Sequence, residues 1–208
     1  KEVLMTGGLT ILLTLLSLLI FQVDIATNIS HMLINLNLYN QDYVILGGGF
    51  NYGHSLFGLL KLFFLSVIDT DTSSLNTLEV IKISMKPYFI FVIILFLLIS
   101  MYIIKYESEL WKKVLLLIVS LCLFPYVSAD YKLIHFFIPL ILFFISRSDN
   151  DSYSKYSILF GLLLMPKSFY FIWTEQGYVS VSNILNPIIM CMFIVFLIID
   201  KYNALNNK

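Results

Sequence analysis

Three stretches of this chain gather residue types able to hold or move charge. In the first, Gly49-Phe50-Asn51-Tyr52-Gly53-His54-Ser55-Leu56-Phe57-Gly58-Leu59-Leu60-Lys61, an amide, an imidazole and a hydroxyl precede an apolar helix, and Lys61 follows about two turns later. Open N–H groups at a helix N-terminus attract anions, and glycine lets a ligand approach the backbone. Asn51, His54, Ser55 and Lys61 are the candidate ligands. The stretch lacks the GK[ST] ending of a nucleotide-binding loop. Its plainer reading is a flexible turn, an N-cap and a lysine reaching a polar boundary along its aliphatic stem.

The second stretch is Phe124-Pro125-Tyr126-Val127-Ser128-Ala129-Asp130-Tyr131-Lys132-Leu133-Ile134-His135. Lys132 lies just inside an apolar run, where an ionisable group is costly and is a functional candidate by default. Asp130 is its candidate partner, with a lipid phosphate as the alternative. Tyr131 and His135 are placed on the same side. Lys132 also reads as a cation reaching headgroups, and His135 as a hydrogen-bonded core histidine. In the third stretch, Met165-Pro166-Lys167-Ser168-Phe169-Tyr170, a helix-breaking proline stands beside another embedded lysine. A packing kink with an interfacial lysine is the simpler account. Together Lys61, Lys132 and Lys167 suit an anionic lipid headgroup. Cys122 and Cys191 lie within apolar runs and read as buried small residues, with no metal or disulfide spacing. No metal or cofactor is expected.

The elements carrying these residues must be membrane helices. The chain is 59% hydrophobic with a mean hydropathy of +0.89, and 12% of its residues are charged, against about 25% in soluble domains. A soluble fold could not hide so much apolar surface. Zero net charge gives no sign of a nucleic-acid partner. The fold class expected is all-α, a polytopic transmembrane helical bundle forming a single membrane domain over residues 1–208. Spans are expected at Gly7–Phe21, Pro87–Ile104, Trp111–Val127, Tyr131–Ser146, Tyr156–Trp173 and Ile184–Ile199. Several fall short of the roughly 20 residues a straight span needs, and the Trp111–Ser146 pair is open to not crossing as two simple helices.

Lys1, Lys105, Lys112, Lys113, Arg147, Lys155, Lys201 and Lys208 fall on one side if these spans alternate, and Thr174–Asn183 carries no Lys or Arg. The positive-inside rule then puts the C-terminus in the cytoplasm, in the plasma (inner) membrane. Residues 23–86 face outward as a helical loop, with an amphipathic helix over Ile29–Leu38 and a hinge at Gly47-Gly48-Gly49. A more apolar helix follows over Ser55–Ile68, then a polar loop over Asp69–Asn76. Ser73 or Ser74 caps a short helix running through Lys82. The sequence starts with Lys1 and enters an apolar helix at once, so it is expected to be the C-terminal part of a longer protein.

The Asn51–Lys61 stretch, with Ser55-Leu56 and Gly58-Leu59-Leu60-Lys61, resembles the N-x-S-L-x-G-L-L-x-R type segment in the external loop of polyprenol-phosphate-mannose-dependent α-1,2-mannosyltransferase-like enzymes. These are multispanning GT-C glycosyltransferases that work on the extracytoplasmic face. Pro125–Lys132, followed by Leu133-Ile134 and Pro139-Leu140, is similar to their S-P-x-S-x-x-Y/H-H-L segment at the mouth of a span. Asn35-Leu36 ahead of Tyr39-Asn40 is similar in placement. The resemblance covers Gly7–Ser146. Phe124 replaces the Ser before the Pro, and Lys132 stands where many relatives have His.

The resemblance implies a hexosyltransferase that passes a mannose-like sugar from a polyprenyl phosphate to a glycan or glycolipid. It also implies a basic residue at the donor phosphate, a role Lys132 can fill while losing proton chemistry at neutral pH. The family's catalytic carboxylate lies in the first external loop, which this sequence is expected to lack. The catalytic residue is therefore unknown, and none of Asp24, Asp42, Asp69 or Asp71 inherits the role. Asn51, His54, Ser55, Lys61, Asp130, Tyr131, Lys132, His135 and Lys167 are the expected donor-binding set. An envelope-polysaccharide polymerase, ligase or flippase combines many spans with basic outer loops in the same way, and an unrelated polytopic transporter is a further alternative.

Overall fold

The computed structural model describes residues 2–20, 24–46, 53–68, 75–146, 152–174 and 177–206. The chain divides into two compact units, Lys1–Asp42 and Tyr43–Lys208. In the first unit, α1 (Glu2–Ile20) is an apolar helix whose Thr10 and Thr14 hydroxyls donate back to Thr6 O and Thr10 O, each at 2.9 Å. Such bonds satisfy hydroxyls without breaking the helix. α2 (Ile25–Tyr39) contains the helix expected over Ile29–Leu38. Asp24 caps it by accepting from Thr27 Oγ1 at 2.6 Å and Thr27 N at 3.0 Å. These two bonds hold the Asp24 carboxyl below the usual carboxylate range.

The second unit contains α3 (Leu56–Ile68), α4 (Leu75–Lys105), α5 (Leu110–Leu123), a 3-10 helix (Asp130–Phe136), α6 (Phe137–Ile145), α7 (Ser152–Leu164) and α8 (Ser182–Asn206). A hairpin of β1 (Phe171–Thr174) and β2 (Gly177–Ser180) precedes α8, with Phe171 opposite Ser180 and Thr174 opposite Gly177. The structure is thus mostly helical. Among the described residues two helices are long and apolar enough to cross a membrane, over Leu78–Lys105 and Ser182–Ala204. On α4, Ile90, Ile94, Leu97 and Leu98 are all exposed. A surface apolar on nearly every side is suited to lipid.

Several boundaries differ from those read in the sequence. The short helix expected to end near Lys82 and the span expected from Pro87 are one helix of 31 residues. Pro87 removes one N–H donor without breaking it, as prolines often do in apolar spans. At roughly 1.5 Å per residue, α4 is about 46 Å long and outruns the roughly 30 Å of a hydrocarbon core. The stretch expected as Trp111–Val127 ends at Leu123, because Pro125 cannot donate the next helical bond. The stretch expected as Tyr131–Ser146 opens as a 3-10 helix, and its α-helical part spans nine residues. The stretch expected as Tyr156–Trp173 leaves the helix at Leu164, before Pro166. Its Phe-Ile-Trp-Thr end then pairs as a strand, where aromatic and β-branched side chains are favoured. The glycine hinge and residues 69–74 of the polar loop lie outside the described residues.

The main core joins α5, α6, α7 and α8. Trp111 packs edge-on against Phe143 at 5.0 Å and Tyr156 at 5.2 Å, and Phe160 meets Phe193 at 4.9 Å between ring centroids. Above this apolar contact α7 and α8 are tied by charge. Lys155 Nζ pairs with Asp200 Oδ1, and the Tyr156 hydroxyl donates to Asp200 Oδ2 at 2.6 Å. Tyr102 adds α4 by donating to Leu197 O at 3.1 Å.

Asp200 accepts from both α7 donors, so removing it leaves a half-buried ammonium and a buried phenol without their acceptor. Asp200→Ala is expected to cost about 1–3 kcal/mol, read as a lower unfolding midpoint in detergent. An unchanged midpoint would mean that the tie adds nothing to the packing of α7 on α8.

Candidate functional site

The first two charge-bearing stretches of the sequence meet in one place. Gly53 and Ala129 form an antiparallel bridge, and His54 N donates to Ser128 O at 2.7 Å. Ser55 caps α3, its Oγ accepting from Gly58 N at 3.0 Å while donating to Tyr126 O at 2.8 Å. One hydroxyl therefore ends a helix and holds a distant loop. A Cβ on Gly58 would stand 3.3 Å from Ser55 Oγ, so glycine leaves the cap its room.

Aromatic packing fixes the same joint from below. The Phe57 ring centroid lies 4.9 Å from that of Tyr88 and 5.0 Å from that of Tyr126. The Tyr88 hydroxyl donates to Phe124 O at 2.8 Å, and that of Tyr126 to Met85 O at 3.0 Å. The loop after α5 is thus bound to both α3 and α4, which sets Asp130 at the start of the 3-10 helix.

There His54 Nε2 and Asp130 Oδ1 stand 2.5 Å apart. The two atoms are in close contact without the alignment of a hydrogen bond, and neither has a hydrogen-bond partner among the described residues. His54 is 1% exposed, whereas the Asp130 side chain is 45% exposed. On its other side, His54 Nδ1 is 3.5 Å from Asn186 Nδ2 in the first turns of α8. The tautomer that serves both neighbours carries its proton on Nε2 and accepts at Nδ1.

The surroundings are polar as well as buried. Ser128 and Asn186, which touch His54, are buried, and so are Ser180, Ser182 and Asn183 around the start of α8, where Ser180 Oγ lies 2.7 Å from Ser182 Oγ. Ser128 Oγ and Asn186 Oδ1 have no hydrogen-bond partner among the described residues. Buried polar atoms are seldom left this way, because each carries its full desolvation cost. No group of three or more His, Cys, Asp or Glu among the described residues could hold a metal ion.

The lysines have separate anchors. Lys61, 3% exposed, donates to Leu46 O at 2.8 Å, and burial pulls its ammonium down to about 8. Lys167 closes the end of α7, donating to Leu162 O, Leu163 O and Met165 O at 2.5, 3.1 and 3.0 Å. Its ammonium complements the open carbonyls at a helix C-terminus. Lys132 is half-buried, and its ammonium has no hydrogen bond or ion pair among the described residues. The expected Asp130–Lys132 pair does not form; Asp130 turns to His54 instead. Lys132 O accepts at 2.9 Å from His135 Nδ1 in the tautomer protonated there. At three residues per 3-10 turn, Lys132 and His135 share a face. Tyr131 lies on another, 72% exposed beside exposed Ile134. Asn51 lies outside the described residues.

His54, Ser55 and Asp130 are therefore brought together, while Lys61 and Lys167 are tied to backbone carbonyls. Asn186 and Ser128 complete the polar pocket and were not among the sequence candidates. The available signal was Asn186 itself, an amide inside an apolar run, which merits the scrutiny given to embedded lysines. An apolar groove of about 560 Å³ also runs between α3 and α4, lined by Leu56, Leu60, Phe64, Pro87 and Phe91 among others.

The buried Lys61 gives a pH test. Its folded value of about 8 lies below the ordinary 10.5, so the unfolded chain binds more protons between them. Its contribution to stability is expected to rise as pH increases through that window. Unfolding midpoints taken from pH 8 to pH 10.5 should rise more in the wild type than in Lys61→Met; identical profiles would refute the burial effect. No known family model, curated protein or solved structure matches this chain, so its chemistry is read from its own residues.

Proposed function

We propose that the chain is the membrane portion of a GT-C type glycosyltransferase. It transfers a mannose-like hexose from a polyprenyl-phosphate sugar to a glycan or glycolipid acceptor on the extracytoplasmic face. The observation that carries this reading is the junction of the two stretches that resemble such enzymes. Asn51–Lys61 and Pro125–Lys132 meet through the Gly53–Ala129 bridge and the Ser55–Tyr126 bond. Short similarities far apart in sequence are weak alone; their convergence on one buried polar pocket is what a shared site requires.

The surrounding features favour the same chemistry. A polyprenyl phosphate is already a good leaving group, so transfer needs a base for the acceptor proton and a cation for the departing phosphate. Lys132, half-buried and one turn from His135, is the cation of this reading. The groove between α3 and α4 suits an isoprenoid chain, and Leu56 in its wall adjoins Ser55. A chain lying there would bring its head towards the polar pocket. The protein sits in the plasma (inner) membrane with several spans. Lys105 at the end of α4 and Lys201 near the end of α8 favour a cytoplasmic side for both helix ends.

The test is sugar transfer by the full-length protein in membranes supplied with polyprenyl-phosphate sugars. Lys132→Ala is expected to lower transfer by about 10²-fold or more, the usual effect of losing one charge-stabilising group, with expression intact. Equal transfer in both would keep the enzyme and leave Lys132 as an interfacial anchor. A wild type that consumes no donor would favour an envelope-polysaccharide polymerase, ligase or flippase binding the same lipid phosphates.

A further inference from the structure

We infer that a water-filled recess enters the membrane beside this unit from the extracytoplasmic side and ends at the Asp130 carboxylate, admitting a hydrophilic solute below the membrane surface. The inference rests on α4 and α8 crossing the membrane with Lys105 and Lys201 at the cytoplasmic ends, and on no particular chemistry at the site.

Unequal helix lengths create the space. Trp111 of α5 packs on Tyr156 of α7, and the Tyr156 hydroxyl donates to Asp200 of α8, so these residues share one layer. From that layer α8 runs about 27 Å to Ser182, α5 about 18 Å to Leu123 and α7 about 12 Å to Leu164. Two helices therefore stop roughly 9 and 15 Å below the start of the third. Above them stand non-helical residues 124–129 and 165–170, held by separate bonds such as His54 N to Ser128 O and Val181 N to Tyr170 O at 2.8 Å. Backbone outside helices is tolerated at membrane depth where protein covers it or water meets it.

The surface of α4 marks how far hydrocarbon reaches. The Tyr102 hydroxyl donates to Leu197 O, which brings the Lys105 end of α4 to the Asp200 end of α8. Lys86 and Lys105 are both exposed and stand about 28 Å apart along α4, close to the roughly 30 Å of a hydrocarbon core. Phe89, Ile90 and Phe91 are exposed just inside Lys86, so lipid reaches their level. Lys86 is then level with the start of α8. Asn186 lies about 6 Å inside that start. His54 touches Asn186, and Asp130 touches His54. The Asp130 side chain is nonetheless 45% exposed. An ionisable group open to lipid at this depth is costly, so its open side meets water. His54, Ser128 and Asn186 are buried, so the recess goes no further than Asp130. Tyr131 and Ile134, both exposed, form the lipid-facing side of the same 3-10 helix.

The experiment uses the full-length protein in sealed vesicles of one orientation. A water-soluble, membrane-impermeant carbodiimide and a hydrophilic amine are added outside, and modification of Asp130 is read by mass spectrometry against that by a lipid-soluble carbodiimide. In parallel, Tyr131→Trp reports depth through quenching by lipids brominated in their acyl chains, taken above the wild-type signal of Trp111 and Trp173. Asp130 is expected to be modified several-fold more by the water-soluble reagent, and Tyr131→Trp to be quenched beyond wild type. Modification by the lipid-soluble reagent alone, or by neither, would overturn the recess. Modification without added quenching would put Asp130 above the hydrocarbon and overturn it as well. Modification from the cytoplasmic face only would overturn its outward opening. Should Tyr131→Trp lower the unfolding midpoint, Ile134→Trp takes its place. Neither readout depends on sugar transfer, so the recess and the glycosyltransferase reading stand or fall separately.

Discussion

Backbone pairing between the turn ahead of α3 and the turn after α5 is the constraint on which the polar pocket depends. Neither turn is part of a regular sheet, so its N–H and carbonyl groups must find partners individually. They find them in each other. The His54 N–H reaches Ser128 O, and Ser55 Oγ reaches Tyr126 O while capping α3. The start of a helix and the end of a loop are thereby set by the same few atoms. Once Gly53 and Ala129 are paired, His54 and Asp130 face each other across the junction.

The apolar framework supplies the rigidity that this junction needs. Phe57, Tyr88 and Tyr126 form a trio of rings in which two hydroxyls bond to backbone carbonyls of neighbouring segments. Buried tyrosines of this kind combine large packed area with a directional polar end. The trio ties α3, α4 and the loop after α5 together, while Trp111, Tyr156 and Phe193 belong to the core of α5 to α8. Asn186 belongs to α8, so the pocket joins elements from both aromatic groups. Within this polar pocket His54 and Ser55 are held by backbone, while Ser128 Oγ and Asn186 Oδ1 carry a desolvation cost with no hydrogen-bond partner among the described residues.

The embedded lysines illustrate how much local chemistry depends on where a helix stops. Read in sequence, Lys61, Lys132 and Lys167 look alike, each a cation among apolar residues. In the structure Lys167 closes the carbonyl end of α7, because Pro166 halts the helix and leaves those carbonyls within its reach. Lys61 is drawn to Leu46 O. Lys132 keeps an ammonium without such an anchor among the described residues, and Asp130 stands against His54 instead. The same residue type thus serves as a helix cap, a loop tie and a candidate anion ligand.

Composition and periodicity by themselves determined that the chain is mostly helical and rich in surface suited to lipid. They also located the apolar helix that begins near Ser55, while the structure identified Ser55 as its cap. These are local properties, set by apolar runs, capping residues and the cost of exposing backbone. They misplaced the ends of α5 and α7, where Pro125 and Pro166 act on hydrogen bonds that hydropathy does not register, and they did not register the hairpin before α8. The tertiary structure alone decided that Asp130 faces His54 and not Lys132, and that Asn186 completes the pocket. Those pairings depend on which backbone groups meet after the chain turns back on itself. No spacing along one segment encodes a contact made between residues 53–55, 126–130 and 186.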